Sequence, residues 1–398
     1  MDDKETVIYI GGFELPDKNA AAQRVIANAR IIRELGYTPV LIGINRELRR
    51  YNVDNMTYNK FYGFDCWGLP YPIKTTDWLK YLYDINGFIK ILNKYKNIKA
   101  VICYNYQSIA FERIRVYCQK HKIKIIADCT EWYRSDEGSL PFRIIKYFDT
   151  SFRMRYVNKK VDALIVSSTF LKNYYGMKSS VIIPTLISDF SNKANYEHLS
   201  GNEYPKLVYA GIPFRLGRKL KQRSKAKDRL DIAIQALNSI YKRGVKFTFD
   251  IYGITKAQYL QSVPEDKQII DELEESLKFH GRKDSEFIKK EISNADYTLL
   301  IRDDNRTTKA GFPTKFTESI VCGTPVITNK TSDIDKFLIE GSNGFLIDKN
   351  NNKVDENKLM EILSLDKSTR VNLKRYCRES NMFDIYNWIS EMKKVIES

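Results

Sequence analysis

In the segment "KAGFPTKFTESIVCGTPVITN", Lys309 to Asn329, a lysine and a glutamate stand three residues apart, Lys315 and Glu318, just after Pro313. Pro suits the first turn of a helix, and "CGTP" with Gly323 and Pro325 ends one. The spacing therefore predicts a helix of about two and a half turns over 313–322, with Lys315 and Glu318 on one face. A lysine beside a helix N-terminus suits a diphosphate. A glutamate one turn deeper can accept two hydrogen bonds from a ribose diol. Together they fit a nucleoside diphosphate, with Gly311, Phe312, Pro313 and Thr314 lining the approach. The bland alternative is a surface ion pair.

Other loops carry residues of matching chemistry. "AGIPFRLGRKLKQRSKAKDRL" (210–230) holds eight Lys or Arg between Arg215 and Arg229 against one acid, Asp228. A phosphate-binding loop would use some of them, Lys227 and Arg215 or Lys219 foremost, and the rest would be solvated. No aromatics interleave with this run, which argues against stacked nucleic-acid bases. "KFHGRKDSEF" (278–287) offers Gly281 and Arg282 to line a nucleotide base, with Asp284 or Ser285 capping the next helix. "GGFELPDKNAAAQRV" (11–25) follows a strand. Its Gly11 and Gly12 allow close backbone approach, and a helix start at Ala20 favours an anion. It is not G-x-G-x-x-G, and no acid follows the second strand, so a nicotinamide cofactor is not expected. "ADCTEWYRSDEG" (127–138) crowds Asp128, Glu131, Trp132, Asp136 and Glu137, a set able to hold sugar hydroxyls with the ring stacked on a sugar face. A solvated acidic loop with a packed Trp is the competing reading.

These loops need strands to position them. Nearly continuous apolar runs occur at 6–12, 39–44, 100–105, 124–129 and 163–168. A second series occurs at 206–211, 247–253, 277–282, 297–302 and 324–328. Runs of this kind read as parallel strands covered on both faces. Helical patterns lie between them; in "DRLDIAIQALNSI", Leu230, Ile234, Leu237 and Ile240 share one stripe. Strand–helix alternation repeated twice over 398 residues predicts two doubly wound, Rossmann-like α/β domains facing across a cleft. The boundary falls in the polar stretch 187–206. The expected domains are 1–195 and 206–380, with a closing helix over 381–398.

Composition narrows the rest. The net charge is +16, and both halves are basic, which favours anionic partners. None of the six cysteines forms a C-x-x-C pair, and the three histidines are far apart in sequence. Buried reduced thiols and no dedicated metal site are expected. The first residues lack the basic and apolar pattern of a signal peptide, and no apolar run would span a bilayer, so a cytoplasmic location is expected. "WLKYLYDINGFIKILNKYKN" (78–97) and "PFRIIKYFDTSFRMRYVNKK" (141–160) mix basic and aromatic residues. Such stretches could lie on an anionic membrane, on its inner face, or could simply be core-packing helices with basic outer faces.

The segment "KFTESIVCGTPVITNKTSDIDKFLIEGSNGFLI" resembles the retaining glycosyltransferases of family four, which have the GT-B fold. "KLVYAG", "HGR" and Lys227–Asp228 fall in the order that family shows, and the resemblance is strongest over 206–347. It implies transfer of a sugar from a nucleotide diphosphate sugar to an acceptor hydroxyl of a glycan or lipid-linked glycan. The anomeric configuration would be retained, with no cofactor or metal, in bacterial surface polysaccharide or glycan assembly. Glu318 matches the family's ribose-binding glutamate, Lys227 its phosphate lysine, and Gly11 and Gly12 the glycines near the phosphate and the transferred sugar. Arg215 or Lys219 would be the partner of Lys227. The closing helix crosses back to the first domain in that fold. One residue departs from the pattern. The family has a glutamate eight residues before Glu318, where this chain has Ala310. The missing sugar contact would pass to the backbone of Gly311–Phe312 or to Asp303 or Asp304. The same departure leaves room for a non-catalytic partner that binds a nucleotide sugar or glycan.

Overall fold

A computed structural model describes residues 4–16, 18–48, 52, 54–133, 139–187, 202–217, 219–220, 223 and 226–398. By internal contacts the chain forms two units. The first comprises Met1–Ser188, Ala310–Phe312 and Asp384–Ser398; the second comprises Asp189–Lys309 and Pro313–Phe383. Most of the expected boundary stretch lies outside the described residues.

The first unit is built on an eight-stranded sheet of β1 (Thr6–Gly11), β2 (Thr38–Asn45), β3 (Thr57–Phe61), β4 (Phe64–Pro70), β5 (Ile98–Tyr104), β6 (Lys124–Cys129), β7 (Ala163–Val166) and β8 (Ser180–Ile182). Their order is β3-β4-β2-β1-β5-β6-β7-β8. β1 is buried along its whole length, as a central strand covered by helices on both faces must be. The chain runs outward from β1 to β2 and then returns to β5 on the other side. The carboxyl ends of β1 and β5 are therefore the point at which strand order reverses. Asn19 starts the helix Ala20–Glu34 by accepting the Ala22 N–H at 2.9 Å. The closing helix Ile389–Glu397 packs against this first helix and against β7 and β8.

The β3–β4 hairpin is absent from the sequence expectations. It is the antiparallel edge of an otherwise parallel sheet. β3 is largely exposed, so it lacks the apolar run that marks the other strands. Its signature lies in the turn, where Tyr62 and Gly63 both take positive φ (55° and 78°), as a tight hairpin turn requires.

The second unit has a six-stranded parallel sheet of β9 (Lys206–Ala210), β10 (Thr248–Tyr252), β11 (Leu277–Gly281), β12 (Tyr297–Leu300), β13 (Val326–Thr328) and β14 (Gly344–Leu346), in the order β11-β10-β9-β12-β13-β14. Here the reversal lies between β9 and β12. In helix Leu230–Lys242 the stripe Leu230, Ile234, Leu237 and Ile240 is buried in the main core of this unit, as its periodicity predicts. Burying four such side chains contributes roughly 1.5–3 kcal/mol each against exposure. All six cysteines are buried and unpaired.

Candidate active site

In open parallel sheets, ligands bind beyond the strand carboxyl ends where the strand order reverses. In the second unit three glycines mark that edge. Gly211 follows β9, Gly253 follows β10, and Gly281 ends β11. They take φ values of +144°, +99° and +69°. Adjacent strand ends are tied by Gly211 N–H to Tyr252 O at 2.9 Å and Gly253 N–H to Gly281 O at 2.7 Å. A Cβ on Gly253 would lie 2.5 Å from the Gly211 carbonyl oxygen, and one on Gly211 would lie 2.5 Å from Lys315 Cε. The glycines thus let the backbone form a shallow shelf and let the stem of Lys315 rest on it.

Lys315 sits in the helix Thr314–Val321. The helix is one residue shorter at each end than expected, because Pro313 is its extended N-cap rather than a helical residue. Lys315 Nζ pairs with Asp228 Oδ2 at 2.8 Å, and Arg302 Nε approaches Asp228 Oδ1 at 3.1 Å. Tyr209 OH donates to the same carboxylate at 2.8 Å. Burial alone would raise the Asp228 pKa. Lys315 and Arg302 outweigh it and hold the carboxyl at about 2. Two cations against one anion leave this cluster net positive, and an ammonium has three N–H donors. Lys315, a quarter exposed, can therefore orient on Asp228 and still meet an anion.

Glu318 lies one turn further along. It is half-buried, and its carboxylate accepts no hydrogen bond from a described residue. Desolvation raises its pKa, partly offset by Lys315 and Lys289. A partly desolvated carboxylate with free lone pairs is suited to hydroxyl donors, which would replace the lost hydration.

The neighbouring loops are fixed by their own networks. Arg302 lies two residues beyond the end of β12, and its backbone is clamped by Asn329. Arg302 N–H donates to Asn329 Oδ1 at 2.9 Å, and Asn329 Nδ2 donates to Arg302 O at 2.9 Å. Arg229 bridges Asp231 at 2.9 Å and Asp303 at 2.8 Å, and Lys349 also pairs with Asp303 at 2.7 Å. Asp303 is thereby committed to structure. Asp304 is exposed and pairs with Lys309 at 3.1 Å. Neither is positioned as the free carboxylate that could substitute for the one missing at Ala310, which is fully buried.

The remaining expected residues divide. Lys227 is exposed at the loop end, with its N–H on Pro213 O at 2.9 Å. Arg215 is exposed in the same loop. Lys219 pairs with Glu265 at 2.6 Å instead. Arg218, Lys221 and Lys225 lie outside the described residues. Gly281 is buried and Arg282 is exposed beside it. Pro313 is buried and Thr314 half-buried at the helix start, whereas Gly311 and Phe312 group with the first unit.

In the first unit, Gly11 is buried against Tyr104, whose Cβ a Gly11 Cβ would approach to 2.7 Å; Gly12 is exposed and faces open space. The carboxylate cluster needs correction. Asp128 is fully buried. Arg24 holds both of its oxygens, through Nη2 at 2.7 Å and Nε at 2.9 Å, and Tyr9 OH donates to it as well. It is part of the core and is not free to meet an acceptor. Trp132 packs edge-on against Tyr174, ring centroids 4.9 Å apart, and against Phe170. This is the packed-Trp reading. Glu131 is exposed, and Asp136 and Glu137 lie outside the described residues.

Arg302 and Tyr209 were not among the expected site residues. Their only sequence signal is position, an arginine and a tyrosine at the ends of apolar strands. Only the strand order brings β9 and β12 together.

Comparisons with known proteins agree with this architecture. Residues 221–380 match the family described as Glycosyl transferases group 1. A putative colanic acid biosynthesis glycosyltransferase of Salmonella typhimurium, WcaL, is 28% identical over 142 residues; the match spans 35% of this chain and 34% of that relative. Among solved structures, Anabaena HepE in complex with UDP superposes with a TM-score of 0.61 at 13% identity, covering 98% of this chain and 99% of that one. Sucrose-phosphate synthase of Thermosynechococcus elongatus gives 0.63 at 13% identity, covering 98% and 96%. The catalytic domain of Arabidopsis thaliana starch synthase IV gives 0.66 at 10% identity, covering 99% and 100%. Residues 221–380 are therefore similar to group 1 glycosyltransferases, within a chain that has the GT-B fold.

Proposed function

We propose that this protein transfers a sugar from a nucleotide diphosphate sugar to a glycan or lipid-linked glycan hydroxyl, with retention of configuration, as a family-four hexosyltransferase of surface polysaccharide assembly. The observation that carries the reading is the pair of unlike groups on one helix. Lys315 is held by buried Asp228, and Glu318, desolvated and with free acceptor capacity, lies one turn away. Their spacing suits the diphosphate and ribose of one nucleotide. The name of the Salmonella relative and the UDP held by the Anabaena structure support the donor class and the pathway.

In this reading, Lys315, Lys227 and Arg215 act on the leaving diphosphate. Negative charge develops there as the glycosidic bond breaks, and fixed cations assist that transition state. The acceptor hydroxyl attacks from the same face, and the leaving phosphate oxygen takes its proton. No carboxylate nucleophile enters. Gly281 and Arg282 border the base, and Gly11 and Gly12 of the first unit stay candidates for the phosphate and sugar. Glu131 is the remaining candidate of its loop for the acceptor.

The buried alanine at 310 favours a second reading, a non-catalytic partner that binds a nucleotide sugar or glycan. Calorimetry with UDP, GDP, dTDP, ADP and CMP tests the donor site. One diphosphate should bind, and Glu318→Ala should lose most of that affinity. Absence of binding at millimolar concentration defeats the donor site. Nucleotide binding without product from any matching sugar donor selects the second reading.

A further inference from the structure

We infer that the helix Leu140–Arg155 is a docking element for an anionic lipid surface. The inference does not depend on the donor reading. The sequence pointed equally to 78–97 and 141–160, and the structure separates them. In the first stretch Tyr81, Phe88, Ile91 and Leu92 are buried, so much of its apolar character serves the core. In the second, Leu140 is 66% exposed and Phe148 65%, with Phe142, Ile144, Ile145 and Tyr147 all above 40%. A soluble helix normally turns such residues inward. Here the anchoring comes from the C-terminal half, where Thr150, Arg153 and Met154 are buried.

The charges decide the occupant. The one acid of the helix, Asp149, is turned inward and accepts the Ser108 N–H at 2.8 Å. Arg153 is also spent internally, donating to Asn105 O and Tyr106 O, both at 3.0 Å. That leaves Arg143, Lys146 and Arg155, none paired with a described acid. The helix Ser108–Lys120, against which this one packs, continues the pattern with exposed Ile109, Arg113, Val116 and Lys120. A second copy of the chain would bring these cations against their own kind. An anionic bilayer satisfies both features. The apolar side chains enter the acyl boundary, while the arginines and lysine reach the headgroups along their own aliphatic stems.

The test is sedimentation of the full chain with vesicles of phosphatidylcholine, with and without 30% phosphatidylglycerol, at about 0.15 M salt. Binding is expected only with the anionic lipid. The variant Phe142→Ser/Ile145→Ser/Phe148→Ser should lose at least about tenfold in partitioning, since each apolar insertion contributes. Its thermal midpoint should hold, because the three residues are already exposed. Arg143→Glu/Lys146→Glu should lose binding too, and it gives the same answer if the first variant misfolds. No binding to anionic vesicles, binding that both variants retain, or a concentration-dependent dimer abolished by the triple variant without lipid binding would each overturn the inference.

Discussion

Lys315 Nζ and Asp228 Oδ2 stand 2.8 Å apart, with Asp228 buried and Lys315 a quarter exposed. One residue comes from the loop after β9 and the other from the first turn of the helix Thr314–Val321. The carboxylate fixes the ammonium on the glycine shelf, and the ammonium keeps donors for a ligand. In the proposed donor site Asp228 would position Lys315, and its loss should be felt in folding as well as in binding.

Asp228→Ala leaves Lys315 and the buried Arg302 guanidinium facing each other without a counter-charge. Removing one partner of such a pair costs about 3–5 kcal/mol. The wild-type pair also has a pH signature. With its pKa held at about 2 against the ordinary 3.8, Asp228 contributes roughly 2 kcal/mol of stability. That contribution is present above pH 4 and is lost as pH falls toward 2. Urea unfolding at pH 7 and pH 3 should show the variant less stable at both and less sensitive to the change.

Glu318 carries the opposite sign. Burial raises its pKa, so its ionised form is disfavoured in the folded protein. Stability linked to this group is fully present below its unfolded pKa and is lost as pH rises through the raised folded value. Glu318→Gln should therefore raise the melting temperature slightly at pH 7. Nucleotide affinity should move the other way, falling in the variant by about tenfold or more, as expected when charge-assisted hydrogen bonds to a diol are lost. In the wild type, affinity should weaken as pH drops through the raised pKa, and the variant should show a flat profile.

Gly253→Ala tests the shelf. The added Cβ meets a backbone oxygen at 2.5 Å, where no side-chain rotation can relieve it, and φ is +99°. A loss of about 1–3 kcal/mol is expected from the conformation alone, with more from the clash. Gly211→Ala, at φ +144°, meets the end of the Lys315 side chain instead of backbone. If both variants fold, nucleotide affinity should drop more than stability for Gly211→Ala, and the reverse should hold for Gly253→Ala. Paired calorimetry and thermal melts distinguish them.

Asp128 and Glu131 are three residues apart and should behave as different classes. Asp128→Ala strands Arg24 in the core and should cost about 3–5 kcal/mol. Glu131→Ala, on an exposed side chain, should leave unfolding within about 0.5 kcal/mol of wild type. A chemical denaturation series of the two variants checks the contrast. Equal stabilities would contradict the buried Arg24–Asp128 pair.

Some of this was legible without coordinates. Every apolar run read as a strand is a strand, because a central parallel strand must be apolar on both faces and so writes an uninterrupted signal into the sequence. β6 spans 124–129 as expected, and helix Leu230–Lys242 buries the predicted stripe. Glu318 and Lys315 could be paired on paper because three residues along a helix fix their mutual face. Edge elements wrote less. β3 alternates little and buries little, so nothing in its composition separated it from a loop.

What the chain alone could not decide was partnership at a distance. Asp128 read as one more acid in an acidic loop until Arg24, 104 residues earlier, was found against it. Asp228 read as the lone acid of a basic run, and the tertiary structure made it the centre of Tyr209, Arg302 and Lys315. The aromatic residues of 78–97 and 141–160 looked alike in composition, and burial divided them. Local periodicity depends on bonds between neighbours and is printed in the sequence. Charge pairing and exposure depend on which strand ends the sheet order brings together, and only the folded chain determines that.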